Sequence, residues 1–154
     1  MTDAAKKISA ELEKAYREAL YVIHWEDDNI VLRVGHANPE LATLMKIRGV
    51  TSAAFLTAFN PYSVLLTAEE NLHNQHSLIS DIHSLGLIGI VGEGSDSSNL
   101  WPSEPSILVL GISLHNAELL ADRYGQNGFL WISSDDGFVV LNLRYPVRSR
   151  INES

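Results

Sequence analysis

The run from Val50 to Phe59 carries no charged residue and constrains the fold more than any other stretch. An uncharged, apolar, β-compatible segment is typical of an interior strand that is covered on both faces of its sheet. The run ends in the turn sequence Asn60-Pro61-Tyr62-Ser63, and polar turn residues of this kind stop a strand. We therefore expect a buried strand whose carboxyl end delivers this turn.

Apolar periodicity and capping signals predict the other elements. Predicted helices cover about residues 5–19, 39–48, 67–85 and 113–124, and predicted strands cover 20–25, 30–34, 50–59, 87–91, 107–112, 129–132 and 138–143. The segment 92–106 is rich in Gly, Ser and Pro and is predicted to be a long connection. A chain of 154 residues suits one domain, so we expect a single α+β domain with a mixed sheet of about six or seven strands and about four helices. Residues 1–6 and 146–154 are expected to be flexible ends.

Composition excludes several classes of site. The chain has no cysteine, so disulfides, thiolate nucleophiles and cysteine-ligated metal centres are ruled out. A formal net charge of -8 argues against general binding to nucleic acids or anionic membranes, because both require clustered Lys and Arg. No apolar run approaches the roughly 18 residues that span a bilayer, and the first residues do not resemble a signal peptide. We expect a cytoplasmic protein without a membrane segment.

Two amide side chains fall on the apolar face of the predicted helix 67–85. Asn71 and Gln75 are four residues apart, so they stack near the helix start, beside the turn that carries Asn60 and Tyr62. They share an arc of about 140° with the apolar residues Leu72, Leu78, Ile79, Ile82 and Leu85. A buried amide without a partner costs about 1 to 3 kcal/mol. These groups therefore either line a ligand site or hydrogen-bond the turn and brace its shape, and both interpretations fit the sequence.

Acidic residues of the segment 92–106 form a second candidate. Glu93, Asp96 and Glu104 are either ligands of a divalent cation, acid–base groups or solvated acids, and their spacing fits no known calcium loop closely. Glu104 stands out because Pro105 and the following strand hold its backbone in place. A carboxylate there would serve as a general base if burial raised its pKa.

Histidines form a third candidate, on the predicted helix 67–85. His76 and His83 lie two turns apart, about 10 Å along the helix axis, which is too far for two ligands of one ion. His73 and His76 could share a metal ion only with a third ligand from elsewhere in the chain. We therefore expect His73, His76 and His83 to mark a solvent boundary, and we predict no metal site. The sequence also contains no P-loop, dinucleotide-binding or nucleophile-elbow motif.

Several separated motifs resemble the bacterial domain-of-unknown-function family 3293. They are Thr57-Ala58-Phe59-Asn60-Pro61-Tyr62-Ser63, Glu70-Asn71, Trp101-Pro102, Glu104-Pro105-Ser106, Gly111-Ile112-Ser113, and Tyr124-Gly125-Gln126-Asn127 before Phe129-Leu130-Trp131. The similarity covers roughly residues 12 to 143, and this chain has Phe59 where the family usually has Trp and Gly128 where it tends to have Ala. The resemblance implies a small bacterial cytosolic protein and brings no established activity or cofactor. It adds Gln126 and Asn127 to the candidate site, or to the capping of the preceding helix.

We expect a protein that binds a small polar molecule, either a metabolite or a nucleotide, at the Asn60–Ser63 turn. The residues expected to bind it are Asn60, Tyr62, Ser63, Asn71, Gln75, Glu93, Trp101, Gln126 and Asn127. Two alternatives stay open, namely a hydrolase or transferase with Glu104 as general base, and an acidic module that binds a protein partner. The sequence leaves the ligand, any cofactor and the oligomeric state undetermined, and a homo-oligomer is compatible with it.

Overall fold

The computed structural model describes residues 9–95 and 103–144, which form one sheet and four α-helices. The strands are β1 (Leu20–Ile23), β2 (Ile30–Leu32), β3 (Ala53–Leu56), β4 (Ile88–Ser95), β5 (Glu104–Leu110), β6 (Gly128–Ile132) and β7 (Val139–Leu143). The helices are α1 (Ala10–Glu18), α2 (Pro39–Ile47), α3 (Ala68–Ser84) and α4 (Leu114–Arg123). The ends predicted to be flexible, 1–6 and 146–154, lie outside the described residues. Within the described ranges, no helix is both long enough and apolar enough to cross a membrane.

The seven strands that the structure describes are ordered β2-β1-β4-β5-β3-β6-β7. This confirms the α+β class and the expected numbers of strands and helices. The expectation of a mixed sheet is wrong, because all six neighbouring pairs are antiparallel. No parallel pair forms because β4 and β5 pair directly with each other as a hairpin, and because β3 inserts between β5 and β6 and runs antiparallel to both.

The connection predicted at residues 92–106 is shorter than expected. Gly92–Ser95 belong to β4 and Glu104–Ser106 belong to β5, with Gly94 opposite Glu104. Glycine weakens an isolated strand, but the sheet requires it here, because a Cβ at Gly92 would collide with the Val22 carbonyl oxygen and lie 3.0 Å from the Phe55 ring. Gly92 therefore reflects close packing within the sheet and not a loop.

Strand β3 is buried along its whole length, which confirms the interior strand. On one face, Ala53 and Phe55 join the cluster that contains the inward residues of α2. On the other face, Ala54 and Leu56 join the cluster that contains the inward residues of α3 and α4. Because alternate residues of a strand point to opposite faces, β3 contributes to two cores that lie on either side of the sheet.

Helix α3 begins at the predicted capping box. The Glu70 N–H donates to Thr67 Oγ1 over 3.1 Å, and the Thr67 N–H donates to Glu70 Oε1 over 3.0 Å. The inward line is Asn71, Gln75, Leu78 and Ile82. Leu72 and Leu85 were expected on the inward arc and are 48% and 43% exposed. The predicted arc was too wide. The stripe that meets the sheet contains only these four inward residues, which are separated by steps of four, three and four positions.

Candidate functional site

The turn after β3 has an unusual backbone. Asn60, Tyr62 and Ser63 adopt φ angles of 46°, 58° and 62°, in the left-handed region that residues other than glycine avoid. Asparagine adopts this region more readily than most residues, but Tyr62 and Ser63 each cost roughly 1 to 2 kcal/mol there, so neighbouring groups must hold the conformation. The Ser63 N–H donates to the Asn60 carbonyl over 2.9 Å, and the Tyr62 N–H donates to the Gly125 carbonyl over 2.6 Å. The turn is thus tied both to itself and to the end of α4.

Asn60 lies at the centre of a side-chain network that links this turn to α3 and β5. Its Oδ1 accepts from the Leu66 N–H over 3.0 Å and from Asn71 Nδ2 over 2.9 Å. Because a backbone N–H can only donate, the amide orientation is determined, and Asn60 Nδ2 faces Glu104 Oε2 at 3.0 Å. Asn71 Oδ1 in turn accepts from the Asn60 backbone N–H over 2.8 Å.

Two further amides hold the backbone next to the turn. Gln75 Oε1 accepts from the Ala58 N–H over 2.9 Å, and Gln126 Nε2 donates to the carbonyls of Phe59 and Tyr124 over 3.0 and 3.1 Å. Both glutamines are buried. These contacts correspond to the bracing interpretation, whereas the contact between Asn60 and Glu104 extends beyond the turn itself.

A second polar chain reaches the turn from helix α1. Asn127 Nδ2 donates to Ser63 Oγ over 3.0 Å, and the Ser63 side chain also hydrogen-bonds the Tyr16 side chain. Burial, with a smaller contribution from the negative charge of Glu104, raises the pKa of Tyr16 to about 12. The Tyr21 hydroxyl donates to the Tyr16 carbonyl over 2.6 Å, and burial raises the pKa of Tyr21 as well.

The two chains meet at a cleft of about 700 Å³ between α1, the turn and the sheet. Polar side chains that line it are Tyr16, Tyr21, Thr57, Asn60, Ser63, Asn71, Ser95, Ser103, Glu104, Ser106, Gln126 and Asn127. Apolar side chains that line it include Leu12, Ala15, Phe55, Phe59, Leu65, Leu66, Phe129 and Leu141. The cleft therefore has apolar walls with polar groups gathered around the turn, as is usual for small-molecule sites.

The structure brings together part of the predicted site. Asn60, Ser63, Asn71, Glu104, Gln126 and Asn127 all line the cleft. Tyr62, Gln75 and Glu93 are not among its lining residues, and Trp101 lies outside the described residues. Glu93 is paired with His24 Nε2 at 3.1 Å across β4 and β1. Whether the lining residues bind a ligand stays a prediction.

Sequence reasoning missed Tyr16 and Tyr21. Tyr16 falls in the apolar stripe of the predicted first helix and Tyr21 in a predicted strand, so their patterns indicate packing alone. A tyrosine in an apolar stripe still carries a hydroxyl that needs a partner when buried. That requirement was the available signal, but it could not identify Ser63 or the Tyr16 carbonyl as the partner.

Glu104 has the chemistry of a functional carboxylate. Burial raises its pKa, and the hydrogen bond from Asn60 opposes that shift without cancelling it. None of the ion pairs within residues 9–95 and 103–144 includes Glu104. A partly buried carboxylate without a positive neighbour can accept a proton or a hydrogen bond from a bound molecule.

The histidines of α3 do not contribute to the cleft. His73, His76 and His83 are all exposed on the outer side of the helix. Across the part of the chain that the structure describes, no three histidine or acidic side chains are grouped closely enough to hold a metal ion.

Residues 56–128 match the model of a family described as "Protein of unknown function (DUF3293)". The match confirms the resemblance for that part of the chain, which runs from the end of β3 to the start of β6 and contains the turn and α3. No curated protein and no solved structure matches the chain.

Proposed function

We propose that the chain, whose residues 56–128 match the DUF3293 family model, binds a small molecule in the cleft beside the Asn60–Ser63 turn. One observation carries this proposal, which is that Asn60, Asn71 and Glu104 form a connected network whose side chains all line the same cleft. A structural brace would account for the contacts around the turn, but a brace does not require a cleft.

 

A purely structural role does not account for Glu104. An uncharged glutamine at that position would offer Asn60 Nδ2 the same acceptor without the cost of burying a carboxylate. Burial raises the pKa of Glu104, which means that the surroundings disfavour its charged form. Buried groups that are costly to keep and lie in a cleft are frequent at functional sites. The carboxylate is therefore better explained by a bound molecule than by the turn.

The cleft also indicates the general shape of the ligand. Its volume of about 700 Å³ falls within the roughly 300 to 1,000 Å³ that small-molecule sites occupy. The polar groups are gathered around Asn60, Ser63 and Asn127, while the remaining walls are largely apolar. A molecule with an apolar body and one polar end suits this arrangement better than a molecule that is polar throughout.

The test is thermal unfolding of the full chain against a panel of amino acids, nucleosides, amines and carboxylic acids. A ligand at 100 times its dissociation constant adds about 2.7 kcal/mol to the free energy of unfolding, which raises Tm measurably. Ala15→Phe places a phenyl ring in the cleft from α1 and should weaken binding at least tenfold. Ala10→Phe is the matched control, because Ala10 is exposed on the same helix and does not line the cleft.

Two results would overturn the proposal. One is a panel in which no compound stabilises the protein. The other is a compound that binds Ala15→Phe as tightly as the unaltered chain, since such a compound would occupy a different place.

A second candidate function is catalysis with Glu104 as general base, in a hydrolase or transferase. The raised pKa of this carboxyl favours it, because a base works best when its pKa approaches the working pH. Glu104→Gln should then abolish turnover of a substrate while leaving its dissociation constant within a few-fold. If Glu104→Gln keeps both turnover and binding, Glu104 takes no part in the chemistry.

The setting we propose is the bacterial cytoplasm, which rests on the family resemblance. An acidic surface that binds a protein partner stays a further alternative, on the basis of the formal charge of -8. Salt-sensitive binding to a partner that persists in Asn71→Ala would favour that alternative over the cleft.

A further inference from the structure

The charge of the cleft deepens the proposed function, on which this inference rests. Glu104 is the one charged side chain among the described lining residues, which include no Lys, Arg or His. The stretch 96–102, which joins the lining residues Ser95 and Ser103, contains none of these basic residues in its sequence either. The described surroundings therefore leave a negative charge at the polar end of the cleft without a positive neighbour.

Among the described residues, Asn60 alone donates a hydrogen bond to the Glu104 carboxylate. Its Oε2 accepts from Asn60 Nδ2, and no described residue donates to its Oε1. Asn60 cannot turn its carbonyl toward Glu104, because the Leu66 N–H and Asn71 Nδ2 both donate to Asn60 Oδ1. A carboxylate can accept about four hydrogen bonds, so the site offers acceptors and is already oriented to receive a donor.

Aromatic rings supply the second independent observation. The rings that line the cleft are Tyr16, Tyr21, Phe55, Phe59 and Phe129. Tyr21 meets Phe55 edge to face, with ring centroids 5.9 Å apart and planes at 79°. The faces of aromatic rings attract cations, and this attraction strengthens where water is excluded. The cleft therefore holds both a carboxylate and aromatic side chains, which are the two kinds of group that bind an ammonium ion.

We propose that the ligand is an organic cation, with an ammonium group that pairs with Glu104 and an apolar or aromatic body that packs against the rings of the cleft. An anionic ligand such as a nucleotide would place like charges together, with no basic residue among the described lining residues to offset them. A neutral ligand would leave the carboxylate uncompensated. The proposal thus assigns a positive charge to the small polar molecule that we expect from the sequence.

Three probes of similar size test the charge class. They are 2-phenylethylammonium, 2-phenylethanol and 3-phenylpropionate, with dissociation constants measured by NMR titration of the full chain at pH 7. The cation should bind at least tenfold more tightly than the alcohol, and the carboxylate should bind most weakly. In Glu104→Gln, the advantage of the cation over the alcohol should disappear while the alcohol binds as before.

Glu40→Gln is the matched control, because it removes the same charge from an exposed position at the start of α2. It should leave the order of the three probes unchanged. A pH titration of the unaltered protein tests the same point without a substitution. Affinity for the cation should fall as Glu104 becomes protonated at low pH, while affinity for the alcohol stays constant. Tyr16 and Tyr21 face Glu104 from α1 and β1, and both stay protonated throughout because their pKa values are raised.

The outcomes separate this inference from the function beneath it. If the alcohol or 3-phenylpropionate binds as tightly as the cation, the charge class is wrong, but the cleft remains a binding site. If the cation keeps its advantage in Glu104→Gln, the ion pair with Glu104 is refuted. If none of the three probes binds, the charge class is overturned, and failure of the whole compound panel then removes the proposed function as well.

Discussion

Replacing Asn71 with alanine tests whether the turn depends on the network around Asn60. Asn71 is 5% exposed, and its amide both accepts from the Asn60 N–H and donates to Asn60 Oδ1. Alanine leaves that N–H without its acceptor, whereas Oδ1 keeps the Leu66 N–H. One buried group without a partner costs about 1 to 3 kcal/mol, and the better helix propensity of alanine returns at most about 0.7 kcal/mol. Taking about 2 kcal/mol for the lost partner and about 0.7 kcal/mol for the propensity gain, we expect a net loss of about 1.3 kcal/mol.

The measurement is urea unfolding followed by tryptophan fluorescence and by circular dichroism, with matching transitions from both probes. In a thermal melt, a loss of about 1.3 kcal/mol in a chain of this size corresponds to a fall in Tm of roughly 3 to 5 °C. Asn74→Ala is the control, because Asn74 lies on the same helix and its side chain makes no hydrogen bond with a described residue. If the two variants differ by less than about 0.5 kcal/mol, Asn71 does not hold the turn and the reasoning fails.

Two further substitutions test the carboxylate and the sheet. Burial raises the folded-state pKa of Glu104 above its ordinary value of 4.5, so the stabilising contribution of its protonated form is fully present below pH 4.5 and is lost as the pH rises through the folded-state pKa. Glu104→Gln should therefore be more stable than the unaltered protein at pH 7, with a smaller difference at pH 4.5, and equal differences at both pH values in urea unfolding would contradict this. Gly92→Ala should lower the free energy of unfolding by about 1 to 3 kcal/mol, because its Cβ would collide with the Val22 carbonyl. An unchanged urea midpoint would contradict this and show that β1 and β4 can move apart to accommodate the Cβ.

Local signals in the sequence were sufficient for much of the fold. The absence of charge in residues 50–59 predicts the buried strand β3, and Thr67 with Glu70 predicts the start of α3. Such signals work because a buried strand excludes charge, and because a cap satisfies backbone N–H groups only a few residues away. The spacing of Asn71 and Gln75 likewise placed both amides on the inward face near the turn.

Other features depend on contacts between residues far apart in the chain. Strand direction followed from the pairing of β4 with β5 and from the insertion of β3, which no local pattern specifies. The same holds for the glycines of β4. The glycine-rich sequence of this strand resembles a loop, and only the sheet shows that Val22 packs against Gly92.

The sequence by itself determined a charge-free strand, a polar turn after it and two amides that face that turn, because each depends on spacing within one element. Only the tertiary structure decided what the turn meets. It placed Glu104 of β5 against Asn60 and brought Tyr16 of α1 to Ser63, so that both polar chains border one cleft. Those residues are 44 and 47 positions apart in the chain, and their contact is set by the packing of the sheet and the first helix, which periodicity within a segment does not encode.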